Sequence, residues 1–166
     1  MSAMSELAAL SREVGERLRA RGEQVTCAES CTGGWIAKSL TDIAGSSCYF
    51  ERGFVTYSNR AKAEMLGVAS EVLAQHGAVS EPVVAAMATG ALRAAGADFA
   101  IAVSGIAGPD GGSEQKPVGT VWFGFATRNA PPWCCCRHFL GDRDAVRRQA
   151  TEFALRTLLE KFLTES

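Results

Sequence analysis

Apolar residues recur every three or four positions near both ends of the chain, with charged residues between them. This spacing predicts amphipathic helices, each with one face turned toward a protein core. The first helix should end at Gly22, a residue type that favours helix C termini, and the last should begin near Asp142. Their apolar faces consist of Leu7, Leu10, Val14 and Leu18 in the first helix, and of Val146, Ala150, Ala154, Leu158 and Phe162 in the last.

Shorter apolar runs and further helical patterns alternate between these two helices. Five runs predict β-strands, because they are continuously apolar or rich in aromatic and β-branched residues. These runs are Gln24–Ala28, Tyr49–Tyr57, Phe99–Ser104, Thr120–Ala126 and Trp133–Phe139. Further helices are expected at Trp35–Leu40, from Asn59 (after a Ser58 cap) to Gly67, and from Ser80 to Ala95 before Gly96. About five strands and five or six helices indicate an α/β fold, a three-layer α/β/α domain with a mixed sheet.

The size and charge of the chain narrow the class of protein. A length of 166 residues fits a single domain, 1–166, and 47% hydrophobic residues argue against a disordered chain. A net charge of -1 gives no reason to expect nucleic acid as a partner. No apolar run is long enough to cross a bilayer and no signal sequence is evident, so we expect no membrane partner and a cytoplasmic location.

The six cysteines and two histidines do not form a metal-binding pattern. No Cys-x-x-Cys pair occurs, and we expect neither a metal nor another cofactor. Three cysteines are consecutive, Cys134, Cys135 and Cys136, and we interpret them as small apolar residues on alternate faces of a strand. Free thiols are typical of a reducing compartment.

The segment Thr26–Gly34 leaves the first predicted strand and enters a helix through small polar residues. Such a turn aims a side chain outward and leaves backbone N–H groups unpaired at the helix start. Those groups can hold a phosphate or a developing oxyanion. The alternative is a capped strand-to-helix turn without chemistry.

The segment Tyr57–Lys62 joins the second strand to the next helix and places Lys62 on the helix face shared with Ser58. A lysine that is partly desolvated can lose its proton near neutral pH and act as a base. The alternative is a solvated surface lysine.

The segment Ser104–Ser113 is a long glycine-rich loop that follows a buried strand, where α/β proteins bind ligands. Its length argues for function, because long loops without regular structure are otherwise uncommon. It is not a P-loop, since the Gly-Lys-Ser/Thr ending is absent, and it is not a dinucleotide fingerprint. The alternative is a flexible surface loop.

A Ser-His-Asp triad is not indicated by the sequence. Neither His76 nor His138 has a recognisable signature around it, and Gly-x-Ser-x-Gly is absent. Cys31, next to Ser30, is an alternative thiol nucleophile. Adjacent residues seldom share one orientation, so we expect only one of the two to face a substrate.

Six stretches, in chain order, carry a family resemblance: TCAESCTGG, TDIAGSS, FERGFVTYSNRAK, GAVSEPVV, SGIAGPDGGSEQKPVGTVWF and GDRDAVRRQA. Together they resemble the CinA C-terminal domain family, and they cover the chain from about Leu7 to the last helix. Longer members of that family carry an additional N-terminal domain similar to molybdopterin-binding proteins, for which this chain has no room. The segment WCCCRHF departs from the family pattern.

The resemblance implies hydrolysis of the amide of nicotinamide mononucleotide to nicotinic acid mononucleotide and ammonia, a step of pyridine nucleotide salvage toward NAD. It implies a Ser/Lys dyad without a metal, in which Ser30 is the nucleophile and Lys62 the base. Tyr57 would assist by hydrogen bonding or proton relay. We expect a homodimer.

The resemblance also assigns substrate contacts to three places. N–H groups near Cys31, Thr32 and Gly33 would hold the oxyanion. The loop Ser104–Gly112 would contact the ribose and phosphate, and Arg143 or another late arginine would pair with the phosphate. The substrate-binding residues expected are Cys31, Thr32, Gly33, Gly34, Ser104, Gly105, Ile106, Ala107, Gly108 and Arg143.

Two alternatives from other classes remain open at the level of sequence. One is a non-catalytic nucleotide-binding or regulatory module, since the wider family is linked to DNA uptake and recombination. The other is a metal-dependent pyrophosphatase, which would need Glu29, Asp42 and Asp110 to lie near one another.

Overall fold

A five-stranded mixed sheet with helices on both faces forms the fold. The computed structural model describes residues 2–164. The helices are α1 (Ala3–Arg21), α2 (Trp35–Thr41), α3 (Asn59–Leu66), α4 (Ser70–His76), α5 (Glu81–Ala95) and α6 (Arg143–Thr157). The strands are β1 (Val25–Glu29), β2 (Phe54–Val55), β3 (Phe99–Gly105), β4 (Thr120–Thr127) and β5 (Ala130–His138). Short helical turns are Ser46–Cys48 and, after α6, the π-helical turn Leu158–Phe162.

The strand order is β2-β1-β3-β4-β5, which confirms the predicted mixed sheet. β1 pairs in parallel with β2 and β3, and β4 and β5 follow as antiparallel strands. In this register Glu29 lies opposite both Val55 and Val103. The carboxyl ends of β1, β2 and β3 therefore meet at one edge of the sheet, and the segments that follow them converge there.

Two apolar layers lie on the two faces of the sheet. Residues 101 and 103 of β3 pack with α1, α2 and α6, whereas residues 100 and 102 pack with α3, α4 and α5. In the layer that contains α3, α4 and α5, backbones approach one another closely at two glycines, one in α5 and one in β4. A Cβ on Gly90 would lie 2.0 Å from the Leu66 carbonyl oxygen, and one on Gly124 would lie 2.6 Å from that of Val84. Helices on both faces confirm the predicted three-layer arrangement.

Helix boundaries largely follow the predicted caps. Gly22, Gly67 and Gly96 end their helices with positive φ. Asp142 caps α6 by accepting the Ala145 N–H at 2.9 Å. Ser80 precedes α5 as expected but does not cap it, because its hydroxyl donates to the Gly77 carbonyl instead.

The predicted strand Tyr49–Tyr57 is wrong over most of its length. Only Phe54 and Val55 pair with β1, and Tyr49 follows a helical turn with its ring buried. Aromatic residues raised the strand propensity here, but they fill the core from a loop. Helix α4 is an element that the sequence patterns did not predict.

The predicted apolar face of the last helix is right as far as Leu158. The π-helical turn then adds a residue to the helical repeat, so Leu159 and Leu163 become buried while Phe162 is only half-buried.

The consecutive cysteines pack as predicted, on alternate faces of β5: Cys135 contacts the α6 side and Cys134 the α5 side. All six thiols are free within residues 2–164. In the same part of the chain, no helix has both the length and the apolar character needed to cross a membrane.

Candidate active site

Ser30 lies directly after β1, at the sheet edge where the parallel strands end. Its N–H donates to the Val103 carbonyl at 3.0 Å, which extends the β1–β3 pairing by one residue. Ser58 caps α3 by accepting the Ala61 N–H at 3.0 Å, so Lys62 falls one turn into that helix. The Lys62 Nζ lies 3.0 Å from the Ser30 Oγ. Two strand-to-helix junctions thus bring a hydroxyl and an amine into contact.

The Lys62 side chain is almost completely buried, with 1% exposure. Its Nζ donates to the carbonyls of Thr56 at 2.9 Å and Tyr57 at 3.1 Å. Desolvation lowers the pKa of Lys62, and this outweighs an opposing effect of the Cys31 thiol. A neutral amine has two N–H groups and one lone pair, which match two carbonyls and one serine hydroxyl.

A cavity of about 310 Å³ opens beside this pair. It brings together most of the residues that the sequence predicted for the site. These are Ser30, Cys31, Tyr57, Lys62, Ser104, Gly105, Ile106, Ala107, Gly108 and Arg143. The cavity walls come from the ends of β1 and β3, the segments that follow them, the start of α3, the connection between α4 and α5, and the start of α6, as expected for the carboxyl edge of parallel strands.

Three predicted residues lie outside this cavity. Thr32, Gly33 and Gly34 line a separate cavity behind the turn, and Thr32 is fully buried. The expectation of free N–H groups at the helix start is also largely wrong. The Glu29 carboxylate accepts the N–H groups of Ile36 and Ala37 at 2.9 and 3.0 Å.

The N–H groups that can face a ligand are therefore fewer than predicted. The Gly33 N–H donates to the Ser30 carbonyl at 3.1 Å, so it closes a tight turn. Within residues 2–164, the N–H groups of Cys31 and Thr32 donate to no backbone carbonyl of another residue. Both donors directly follow the serine, and backbone N–H groups placed in this way can stabilise an oxyanion.

Arg143 bridges two walls of the cavity. Its guanidinium donates to the Gly108 carbonyl at 2.8 Å and to the Tyr57 hydroxyl at 3.1 Å. Tyr57 thus contacts Lys62 through its carbonyl and Arg143 through its hydroxyl, while 61% of the residue is exposed. Arg143 adds a positive charge at the mouth of a cavity in which burial lowers the pKa of the Lys62 amine.

The alternative chemistries fit the geometry poorly. Burial raises the pKa of the Cys31 thiol to about 12, so this thiol stays protonated near neutral pH and is a weak nucleophile. Glu29 is buried, Asp42 pairs with Lys38 on the surface at 2.8 Å, and Asp110 lines the cavity. Among residues 2–164, no three His, Cys, Asp or Glu side chains are grouped so that they could hold a metal.

Sequence reasoning missed three residues of the cavity wall, namely Asn59, Ala78 and Val79, whereas Asp110 and Gly111 belong to the loop Ser104–Gly112 that was expected to contact the substrate. All three lie inside motifs that carried the family resemblance, so the motif boundaries were the available signal. The carbonyl of Thr56 had no signal in the sequence, because a backbone acceptor is available at every residue. A larger concavity of about 630 Å³ lies at the opposite end of the sheet, away from Ser30 and Lys62.

Solved structures with the same fold come from the CinA superfamily. The competence damage-inducible protein A of Klebsiella pneumoniae superimposes with a TM-score of 0.92 and 44% identity, over 96% of this chain and 99% of that one. The competence/damage inducible protein CihA of Agrobacterium tumefaciens gives a TM-score of 0.90 and 45% identity, over 93% and 94% of the two chains.

Curated relatives are similar over nearly the full length. The nicotinamide-nucleotide amidohydrolase PncC of Shigella flexneri is 69% identical over 96% of this chain and 96% of its own. The protein of the same name from Pseudomonas putida is 52% identical over 95% and 98%. A longer CinA-like protein of Akkermansia muciniphila is 51% identical over 92% of this chain but 37% of its own length. The model of the family described as "CinA C-terminal domain" matches residues 7–162. The chain belongs to the CinA C-terminal domain family.

Proposed function

We propose that this chain is a nicotinamide-nucleotide amidohydrolase that converts nicotinamide mononucleotide to nicotinic acid mononucleotide and ammonia. The observation that carries the proposal is the 3.0 Å contact between the Ser30 Oγ and the buried Lys62 Nζ at the wall of a cavity. It occurs in a chain that is 69% identical to a relative named for this activity. A serine hydroxyl needs a base before it can attack an amide, and a neutral lysine supplies one.

In the first half of the reaction, the Ser30 Oγ attacks the carboxamide carbon of the substrate. Its proton passes to the Lys62 amine, and a C–O bond forms as the carbonyl becomes an oxyanion. The N–H groups of Cys31 and Thr32 stabilise the negative charge. The C–N bond then breaks, and the Lys62 ammonium donates its proton to the departing nitrogen, which leaves as ammonia.

In the second half, water attacks the acyl-serine ester. Lys62 removes a proton from that water and returns it to the Ser30 Oγ as the ester bond breaks. The acid form of the nucleotide is released and the dyad is restored. Every proton transfer is therefore made by one amine, and desolvation by burial lowers the pKa of that amine, which favours its action as a base.

The nucleotide part of the substrate would lie against the loop Ser104–Gly108 at the end of β3. Arg143, at the cavity wall, supplies the positive charge for the phosphate, and Tyr57 orients its guanidinium through a hydrogen bond. Tyr57 would thus assist the reaction through its hydrogen bond to Arg143. The product, nicotinic acid mononucleotide, would serve as a precursor in pyridine nucleotide salvage toward NAD. The cytoplasmic location and the homodimer stay predictions.

An ammonia-release assay on nicotinamide mononucleotide, with no added metal, tests the proposal. Nicotinamide and nicotinamide riboside serve as comparison substrates, since they lack the phosphate that Arg143 would bind. We expect turnover to be greatest for the mononucleotide and to disappear in Ser30→Ala. Ser70→Ala, which changes an exposed serine at the start of α4, is the matched control and should keep full activity.

Full activity in folded Ser30→Ala would remove the serine from the mechanism. Binding of the mononucleotide by the native protein without any ammonia release would instead support the non-catalytic nucleotide-binding module. Cleavage of the pyrophosphate bond of a dinucleotide is measured in parallel, with and without a divalent metal. Metal-dependent cleavage would favour the pyrophosphatase class.

A further inference from the structure

The four residues Ser30–Gly33, here called the nucleophile turn, carry both the serine and the two unpaired N–H groups. The turn is closed by the hydrogen bond from the Gly33 N–H to the Ser30 carbonyl at 3.1 Å. On its inner side, the Thr32 hydroxyl donates to the Glu29 carboxylate at 2.6 Å. Its outer side is held by a residue that lies more than a hundred positions later in the chain.

That residue is Arg147, on α6. Its Nε donates to the Cys31 carbonyl at 2.9 Å, and its Nη2 donates to the Thr32 carbonyl at 3.3 Å. The guanidinium carbon lies 5.9 Å from the centre of the Trp35 ring, which limits how the side chain can turn. One planar cation therefore binds both carbonyls that project from the middle of the turn.

Carbonyl orientation determines N–H orientation, because the C=O and the following N–H of a trans peptide point in opposite directions. Holding the Cys31 carbonyl toward Arg147 directs the Thr32 N–H to the other side. Holding the Thr32 carbonyl does the same for the Gly33 N–H, which in turn holds the Ser30 carbonyl. That last carbonyl sets the direction of the Cys31 N–H. Arg147 thus orients the Thr32 N–H directly. It contributes to the orientation of the Cys31 N–H through the turn's own hydrogen bond, together with the Trp35 N–H, which donates to the same Thr32 carbonyl at 3.1 Å.

We propose that Arg147 is a positioning residue that holds the N–H groups of Cys31 and Thr32 in the orientation that stabilises the oxyanion. This role rests on the proposed amidohydrolase function. Arg147 does not touch the substrate, because it lines the cavity of about 400 Å³ behind the turn and not the cavity that contains Ser30. Arg143, one helical turn earlier, faces the substrate cavity, so the two arginines have different tasks.

Steady-state kinetics of Arg147→Gln and Arg147→Lys test this role, with Arg148→Gln as the matched control. We expect Arg147→Gln to lower kcat by about 10- to 100-fold, below the full cost of removing an oxyanion donor, since the N–H groups stay but lose their orientation. The KM should change by less than about three-fold, because the substrate is not contacted. Arg147→Lys offers a single donor group to two carbonyls, so its kcat should lie between those of the wild type and Arg147→Gln.

Two readouts separate positioning from a purely structural effect. The pH dependence of kcat/KM should keep its midpoint, since Lys62 is untouched. The affinity for pyridine-3-carbaldehyde mononucleotide, whose aldehyde adds the Ser30 Oγ to give a tetrahedral adduct, should fall by the same factor as kcat/KM. The affinity for nicotinic acid mononucleotide, which forms no adduct, should be unchanged. Far-UV circular dichroism and thermal melting establish that each variant is folded.

The outcomes distinguish this inference from the proposed function. Absence of ammonia release from the wild type would defeat both. An active wild type with Arg147→Gln equal to Arg148→Gln would overturn the positioning role alone. A large rise in KM with equal loss of product affinity would show that Arg147 binds substrate, which also overturns it. If Arg147→Gln does not fold, Arg147→Lys gives the same comparison. In that variant, an aldehyde affinity equal to that of the wild type, or an equal fold-loss in the affinities for aldehyde and product, would contradict the proposal.

Discussion

A single buried amine is the central feature of the candidate active site. Lys62 is surrounded by two backbone carbonyls and a serine hydroxyl, and desolvation lowers its pKa. From the sequence, the same residue could equally have been a solvated surface lysine one turn into a helix. The residue type and its position in the helix were visible in the sequence, but its burial depends on packing against Ser30, which is distant in sequence.

The lowered pKa of Lys62 predicts how activity and stability change with pH. The value of kcat/KM should rise as the pH passes upward through the folded-state pKa, because only the neutral amine accepts the serine proton. Lys62→Met should lower kcat by about 10²- to 10⁴-fold, the usual contribution of a general base. Rates measured across the pH range for wild type and variant check both expectations.

The free energy of unfolding should also depend on pH through Lys62. The folded pKa of Lys62 lies below the ordinary value of 10.5, which the unfolded chain retains. Between these values the unfolded chain binds more protons, so the free energy of unfolding rises with pH in this window. Below the folded pKa the native state bears the full cost of a buried ammonium. The free energy of unfolding, measured by denaturant titration, should therefore increase with pH more for the wild type than for Lys62→Met. An equal pH dependence of the two proteins would contradict a lowered pKa.

At the scale of elements, the dyad depends on how closely α3 is held against α5. Leu66, the last residue of α3, lies one turn beyond Lys62, and its carbonyl lies where a Cβ on Gly90 would be. A glycine inside a helix costs stability by itself, but here it allows two backbones to approach. The sequence showed Gly90 within a predicted helix without showing what lay against it.

Gly90→Ala should therefore reduce both stability and rate. Because the new methyl group meets backbone, we expect a loss of about 1–3 kcal/mol in the free energy of unfolding and a lower kcat, as α3 moves Lys62 away from Ser30. Gly96→Ala is the control: its Cβ has free space, but its positive φ costs about 1 kcal/mol. Equal kcat values for the two folded variants would show that the α3–α5 distance does not determine the dyad geometry.

At the scale of the whole molecule, one sheet supports two apolar layers. β3 contributes alternate residues to both, and the site lies where its carboxyl end and that of β1 meet. The parallel half of the sheet and the helix after β2 supply the ends of β1 and β3 and the start of α3 to the site. The antiparallel strands β4 and β5 complete the core, and the long loop between β3 and β4 forms one wall of the cavity.

Because both layers share β3, we expect the molecule to unfold as one cooperative unit. Leu155→Ala on the α6 side and Met87→Ala on the α5 side should each cost about 2–5 kcal/mol. The transitions followed by circular dichroism and by tryptophan fluorescence should coincide in each variant, since tryptophans lie against both layers. Separate transitions in either variant would show that the layers unfold independently.

The sequence by itself determined the α/β class, the mixed sheet, most helix boundaries and the family. These follow from local periodicity, cap residues and motif order, which are properties of neighbouring positions. It did not determine the short β2, where aromatic residues such as Tyr49 fill the core from a loop, because strand propensity does not specify a pairing partner.

Only the tertiary structure decided which groups meet. The Ser30–Lys62 contact, the capture of α2 N–H groups by Glu29 and the reach of Arg147 to the nucleophile turn all join residues of different elements. Each depends on distances and burial that arise when the sheet edge and three helix starts converge. A single sequence records the residue types available for such contacts, whereas desolvation and hydrogen-bond geometry exist only once the chain is folded.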